Sequence, residues 1–346
     1  MIRRFVVFAF IVSMSANLFA QTQSMQIAGV TRTYIVHAPS GVSNPPFVLN
    51  IHGYNMDAAS EQSYTQMDKV ADREKFIVVY PNAINKSWDM SGANDFTFLM
   101  AIIDSVDKKY KIDRNRIYSC GFSQGGFMTF NLACRYSDIF AAIAPTSGNM
   151  SGTCTLKRPL SMRLTFGTNE GFTGGTAAFM ANVTKWLDLC NCPKTPVVTR
   201  PYPSSNPNSV VTRLYYGPCD QGTEVIADSI RTGQHEWPMN TSDRINNSEE
   251  TWAFLKKFSL NGNTGISRNA MTAVRYAVSS SYSSGTIRLQ GAGEKCKVKV
   301  IDTRGRLVAT AEAAQRQFTF KNHPGGVYLL QLNEDDSHYT LRLVIP

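Results

Sequence analysis

The pentapeptide Gly121-Phe122-Ser123-Gln124-Gly125 joins two stretches of different periodicity. Before it, residues 116–120 are β-rich with apolar side chains at alternate positions. After it, residues 124–135 carry Phe127, Met128, Phe130 and Leu132 at helical spacing. A strand that turns straight into a helix across one serine needs glycine on both sides, for the sharp turn and for close backbone packing. Such a turn lifts the serine hydroxyl above the edge of a sheet. The start of the helix then points free N–H groups at any negative charge developing beside that hydroxyl.

The chain has 346 residues, 43% hydrophobic and 11% aromatic, enough to bury a core in more than one domain. Residues 1–20 read as a signal peptide: Arg3 and Arg4 are basic, residues 5–12 are apolar, and Leu18-Phe19-Ala20 offers a cleavage site before Gln21. No later apolar run reaches the length of a membrane span, so a secreted or cell-surface protein is expected. The net charge of +9 has no Lys/Arg cluster behind it, which argues against a nucleic-acid partner. Seven cysteines in an exported chain predict disulfides with one thiol left over. Cys190 and Cys192 are too close in sequence to bridge each other easily. No metal-ligand spacing, phosphate-cradling loop or dinucleotide fingerprint is present. Neither a cofactor nor a metal is expected.

Strand-like and helix-like segments alternate from 26 to 260, the signature of a mostly parallel sheet with helices on both faces. Strands are predicted at 32–37, 47–51, 76–80, 116–120, 140–145, 162–167 and 225–231. Helices are predicted at 97–109, 124–135, 177–190 and 249–258, with an added hairpin at 193–216. The character then changes. Residues 261–284, with Asn261-Gly262-Asn263-Thr264-Gly265 and a serine cluster, read as a linker. Residues 285–346 hold only short strands separated by turns, as in a small β-sandwich that serves sorting or binding. The expected organisation is a signal peptide at 1–20, an α/β domain at 21–260, the linker, and the β module.

A serine hydroxyl needs a base to take its proton, and the chain has five histidines. His323 and His338 lie in the small module. His37 sits within an early strand, where a half-buried structural role is usual, and His52 precedes Gly53 at a strand end, which suits an oxyanion loop. Only His235 follows the last strand of the main sheet, and it is the candidate base. The turn at Ser123 resembles the nucleophile elbow of the α/β-hydrolase fold, where the order is serine, acid, histidine. The acid then falls after the second strand beyond the elbow, and Glu170 is the first carboxylate there. Asp220, on a loop beside Cys219, and Asp228, inside a strand, are its rivals. Two donors are needed for an oxyanion: the backbone N–H of Gln124 and, from the His52-Gly53 loop, that of Tyr54. Trp88 and Trp237 are candidate platforms for a ring or sugar, the competing reading being burial.

Leu49-Asn50-Ile51-His52-Gly53, Phe76-Ile77-Val78-Val79-Tyr80-Pro81, Asn94-Asp95-Phe96, the elbow and Gly233-Gln234-His235-Glu236-Trp237-Pro238 together resemble carbohydrate esterase family one. That family includes secreted feruloyl esterases, acetylxylan esterases and poly(3-hydroxybutyrate) depolymerases. The resemblance implies a serine carboxylesterase acting on plant cell-wall polysaccharide esters. Feruloyl release from xylan is favoured, acetylxylan esterase is next and polyester depolymerase third. A carbohydrate-binding protein on a dead hydrolase fold is the reading from another class. One departure stands out: the family's acid loop reads His-Gly-Thr-x-Asp, whereas here Phe166-Gly167-Thr168-Asn169-Glu170 puts glutamate at the acid position. Cys219 resembles the family's cysteine ahead of the histidine loop, implying a bridge to Cys190 or Cys192 that ties this loop to the preceding helix. The stretch from Val298 through Gly305 to Leu330 resembles the sorting domains of type IX secretion, implying secretion machinery as a partner.

Overall fold

The computed structural model describes residues 21–261 except 173, 240 and 241, and beyond them 279–283, 286–290, 295–302, 306–314, 317–321, 323–334 and 337–345. The signal peptide and most of the expected linker lie outside these residues. The chain packs as two units, one up to Ile266 and one from Ser267 onward.

In the first unit, ten strands form one sheet. They are β1 (Gln21–Ile27), β2 (Val30–His37), β3 (Phe47–Ile51), β4 (Ile77–Pro81), β5 (Ile117–Phe122), β6 (Ala142–Thr146), β7 (Ser161–Gly167), β8 (Val197–Thr199), β9 (Val211–Tyr216) and β10 (Val225–Ile230). Their order is β1-β2-β4-β3-β5-β6-β7-β10-β9-β8. The pairings from β4 across to β10 are parallel, and both flanks are antiparallel. The helices are α1 (Ala58–Thr65), α2 (Met67–Glu74), α3 (Asn94–Tyr110), α4 (Gln124–Tyr136), α5 (Gly175–Leu189) and α6 (Asn247–Leu255).

Alternation along the strands builds two cores. Phe47, Leu49 and Ile51 face α3, α4 and α5 in one apolar cluster, while Val48, Tyr118 and Phe122 face α1, α2 and α6 in the other. Strands covered on both faces become continuous apolar runs, and β3 to β7 are buried along their whole length. Full burial of each such side chain contributes about 1.5–3 kcal/mol. The expected 193–216 hairpin is the antiparallel pair β8–β9.

A buried ion cluster crosses the far side of the sheet. Asp228 of β10, with no exposed surface, meets Arg163 of β7 at 2.7 Å and Arg213 of β9 at 2.6 Å. Burial disfavours the Asp228 carboxylate, but the two guanidiniums outweigh it and hold its pKa below the usual value.

Glu61 is the opposite case. It lies on the buried face of α1 between Ala58 and Thr65, and neither carboxyl oxygen has a hydrogen-bond partner. Burial raises its pKa well above the ordinary value. Folded Glu61 therefore holds its proton more tightly than unfolded Glu61. Its contribution is complete below the ordinary glutamate pKa of about 4.3 and is lost as pH rises toward the raised value, at about 1.4 kcal/mol per pH unit. Glu61→Gln is expected to remove this slope, so the variant gains on the parent as pH rises. Urea unfolding of both proteins at a series of pH values checks this, and parallel stability curves would refute it.

The second unit is an antiparallel sheet of β11 (Ser279–Ser283), β12 (Thr286–Gln290), β13 (Lys295–Asp302), β14 (Leu307–Ala314), β15 (Gln317–Thr319), β16 (Gly326–Glu334) and β17 (Ser337–Ile345), in the order β11-β12-β15-β14-β13-β16-β17. The edge strands β11 and β17 approach each other. Ile287, Val298, Val300, Phe318, Leu330 and Leu343 form the apolar core of this unit. The serine cluster at 279–283, expected in the linker, is strand β11 paired with β12. Cross-strand hydrogen bonding overrides the weak strand preference of serine there.

Candidate active site

At the elbow Ser123 adopts φ 54°, ψ −118°, a strained conformation of the kind that collects at functional sites. Glycine is required around it. A Cβ on Gly125 would lie 1.8 Å from the Ile51 oxygen, and one on Gly121 would lie 2.7 Å from both Ile51 and Gly125 backbone atoms. The backbone N–H of Ser123 donates to Thr146 O at 2.9 Å, which ties the turn to the end of β6.

Three side chains form one hydrogen-bonded row. Ser123 Oγ lies 2.8 Å from His235 Nε2, and His235 Nδ1 lies 2.9 Å from Glu170 Oε2. Glu170 is buried, and its Oε1 accepts from Ser147 Oγ at 2.5 Å and from the Gly167 N–H at 2.8 Å. The Glu170 and His235 loops are joined through backbone. Asn169 N donates to Gly233 O and Thr168 N to Ile230 O, each at 2.9 Å. A Cβ on Gly167 would sit 2.3 Å from Gly233 O. The two rival carboxylates are engaged elsewhere: Asp228 in its arginine cluster, and Asp220 with Asn191 beyond the end of α5.

Beside the serine runs the His52-Gly53-Tyr54 loop; a Cβ on Gly53 would lie 3.2 Å from Ser123 Cβ. His52 is buried. Its Nε2 accepts the Ala83 N–H at 3.1 Å, so Nδ1 carries the proton and donates to Gly53 O at 2.7 Å. Burial, against the pull of the Gly53 carbonyl, lowers its pKa and keeps the ring neutral. Tyr54 and Gln124 line the same cleft as Ser123 and His235.

Trp88 and Trp237 require correction as stacking platforms, because both are buried. Trp88 Nε1 donates to His52 O at 2.9 Å, and the Trp88 backbone N–H donates to the Gln124 side chain at 3.0 Å, bracing the His52-Gly53-Tyr54 loop. Trp237 Nε1 donates to Ser248 Oγ at 3.0 Å. An indole with a partner for its N–H and little exposure packs in a core. The open aromatics are others: Phe172 is 89% exposed and Tyr54 68%. With Met90 and Phe127 they line a largely apolar cleft of about 480 Å³ over Ser123 and His235. Phe172 and Ser147 escaped the sequence reading. Phe172 sits two residues past the acid on a glycine-rich loop, a signal that was available; Ser147 carried none.

Among the described residues the bridges are Cys192–Cys219 and Cys134–Cys154, and Cys120 and Cys190 are buried thiols. Burial raises the Cys190 pKa to about 11, so it is unreactive. The first bridge joins the turn after α5 to the segment ahead of β10. It therefore lies before that strand, whereas His235 follows it, and does not hold the histidine loop itself. A non-reduced peptide digest is expected to contain both pairs, and a free Cys219 thiol would refute the first.

Among the described residues no helix is long and apolar enough to cross a membrane. Residues 32–157 match the family described as Esterase PHB depolymerase, and residues 283–346 match a secretion system C-terminal sorting domain. The chain is 32% identical over 248 residues to the bifunctional acetylxylan esterase/xylanase XynS20E of Neocallimastix patriciarum, covering 70% of this chain and 35% of that protein. It is 27% identical over 259 residues to feruloyl esterase D of Neurospora crassa, covering 69% of this chain and 86% of that one. The chain thus spans about a third of the first relative and most of the second. The fold is that of the acetyl xylan esterase from Aspergillus awamori, at 15% identity and a TM-score of 0.55, over 68% of this chain and 98% of that one. The chain thus has the α/β-hydrolase fold and is related to the esterases that include feruloyl esterases, acetylxylan esterases and poly(3-hydroxyalkanoate) depolymerases, with a match to secretion sorting domains at residues 283–346.

Proposed function

We propose that the protein is a secreted serine carboxylesterase that releases hydroxycinnamoyl groups, feruloyl above all, from plant cell-wall xylan. The observation that carries the chemistry is the row Ser123–His235–Glu170 at the floor of an open cleft. Ser123 Oγ attacks the ester carbonyl while His235 Nε2 takes its proton. Glu170 holds the other ring nitrogen and stabilises the cation. The N–H groups of Gln124 and Tyr54 receive the oxyanion. Collapse of the intermediate expels the alcohol, which takes its proton from His235 and leaves an acyl-serine. Water, activated by the same imidazole, then frees the acid and restores Ser123.

The apolar lining favours an aromatic acyl group: Met90, Phe127, Phe172 and Tyr54 enclose far more room than acetate fills. Turnover of methyl ferulate, acetylated xylan and a hydroxybutyrate oligomer tests this. Ferulate should lead, and preference for acetylated xylan would move the reading to acetylxylan esterase, the activity named for the Neocallimastix relative. Absence of labelling by a serine-directed phosphonate would instead favour a carbohydrate-binding protein.

For the module at 283–346 the reading is sorting by a secretion machinery. A chain ending at Leu260 should hydrolyse methyl ferulate at the full-length rate yet fail to reach the surface or medium. Activity and fractionation measurements check both halves. Unaltered export with weaker adsorption to insoluble xylan would assign the module to binding.

A further inference from the structure

Next to the acyl cleft, across the turn that carries His235, lies an open groove of about 640 Å³ whose lining includes Ser63, Tyr64, Gln66, Glu236 and Trp237. Cleft and groove share a wall. His235 lines one, and the next two residues line the other. The Phe122 ring spans them, 4.9 Å from the His235 ring and 5.5 Å from that of Tyr64. Tyr64 is fixed in place: its hydroxyl accepts the Trp237 N–H at 2.8 Å, which leaves the phenol proton to donate.

The chemistry of the two hollows differs as the two halves of an ester differ. An acyl group in the cleft directs the alcohol oxygen toward His235, because that imidazole must return its proton there. The groove begins at Glu236 and Trp237, the residues that follow His235, and so lies open to whatever carries that oxygen. The hydroxyl, amide, phenol and carboxylate groups of Ser60, Ser63, Gln66, Tyr64 and Glu236 share its lining with Trp237 and Met239, a more polar set than the cleft's Met90, Phe127 and Phe172. The Glu236 carboxylate is already paired with Arg244, so the groove offers hydrogen bonds and the Tyr64 ring without a free charge. We propose that this groove is the alcohol-side subsite and that its occupant is a neutral, hydroxyl-rich sugar chain. The inference rests on the esterase reading for its orientation, though sugar binding can be measured without hydrolysis.

Ser63 is exposed on α1, so Ser63→Phe fills the groove with little demand on the core. Two substrates with one acyl group separate the halves: methyl ferulate and a feruloylated xylo-oligosaccharide. In Ser63→Phe, kcat/KM for the oligosaccharide ester is expected to fall about ten-fold further than for the methyl ester, the equivalent of one or two net hydrogen bonds. Glu236→Gln, which keeps its shape, should move the ratio in the same direction. Xylohexaose binding to the inactive Ser123→Ala protein, followed by calorimetry, should weaken about as much when Ser63→Phe is added. Equal losses on both esters, unchanged xylohexaose binding, or binding of a hydroxybutyrate oligomer in place of the sugar would overturn the proposal. Failure to hydrolyse either ester while Ser63→Phe still abolishes xylohexaose binding would instead sink the esterase reading and leave the groove as a sugar site.

Discussion

Ser123→Ala is expected to lower ester turnover about a million-fold while leaving the chain folded, the loss seen when a triad nucleophile is removed. A companion variant separates chemistry from conformation. Ser123 is held at φ 54°, ψ −118°, and a non-glycine residue in so sparsely populated a region costs about 1–3 kcal/mol. Alanine keeps the Cβ and therefore the strain. Glycine relieves it, at an entropic cost of about 0.5–1 kcal/mol. Ser123→Gly should thus be as inactive as Ser123→Ala yet more stable by about 1 kcal/mol in urea unfolding, the difference of those two effects. Residual activity above about a tenth in either variant would remove Ser123 from the reaction, since a triad member costs far more.

His235→Ala should match Ser123→Ala, because the nucleophile and its base act as a unit. Glu170→Gln should cost about ten thousand-fold in kcat, since an amide beside Nδ1 no longer selects the tautomer that leaves Nε2 free to accept a proton. Asp220→Asn serves as the control. A larger loss there than in Glu170→Gln would mean that the acid has been misplaced.

The parts of the fold that were legible in the sequence were those whose burial follows simple periods. Parallel strands buried on both faces, such as Phe47–Ile51, read as apolar runs, and α4 displays its helical stripe. The parts that were missed bury the wrong kind of residue. The inward face of α1 is Ala58, Glu61 and Thr65, which no hydrophobic pattern reveals. β1 is polar and largely exposed, and it exists by pairing with β2. At the site, chain order and turn position led to Ser123, His235 and Glu170, which hydrogen bonding now joins. The tryptophans went astray because residue type does not disclose exposure: Trp88 and Trp237 are buried beneath the loops they were expected to crown. Ser147 was invisible for a further reason. It reaches Glu170 through a left-handed backbone at φ 52°, which no local sequence signal announced.

The adjacency of β7 and β10 in the sheet also has a kinetic consequence. Glu170 and His235 leave neighbouring parallel strands, yet 65 residues separate them, and 112 separate Ser123 from His235. Contacts so distant along the chain close late, because loop entropy is lost before they return any stabilisation. During synthesis the elbow and its helix emerge long before the imidazole, so the proposed triad predicts a nascent chain that stays inactive until its last parallel strand docks. Regain of esterase turnover after dilution from denaturant should accordingly lag behind regain of helical signal, making the enzyme its own clock for the final step of sheet assembly.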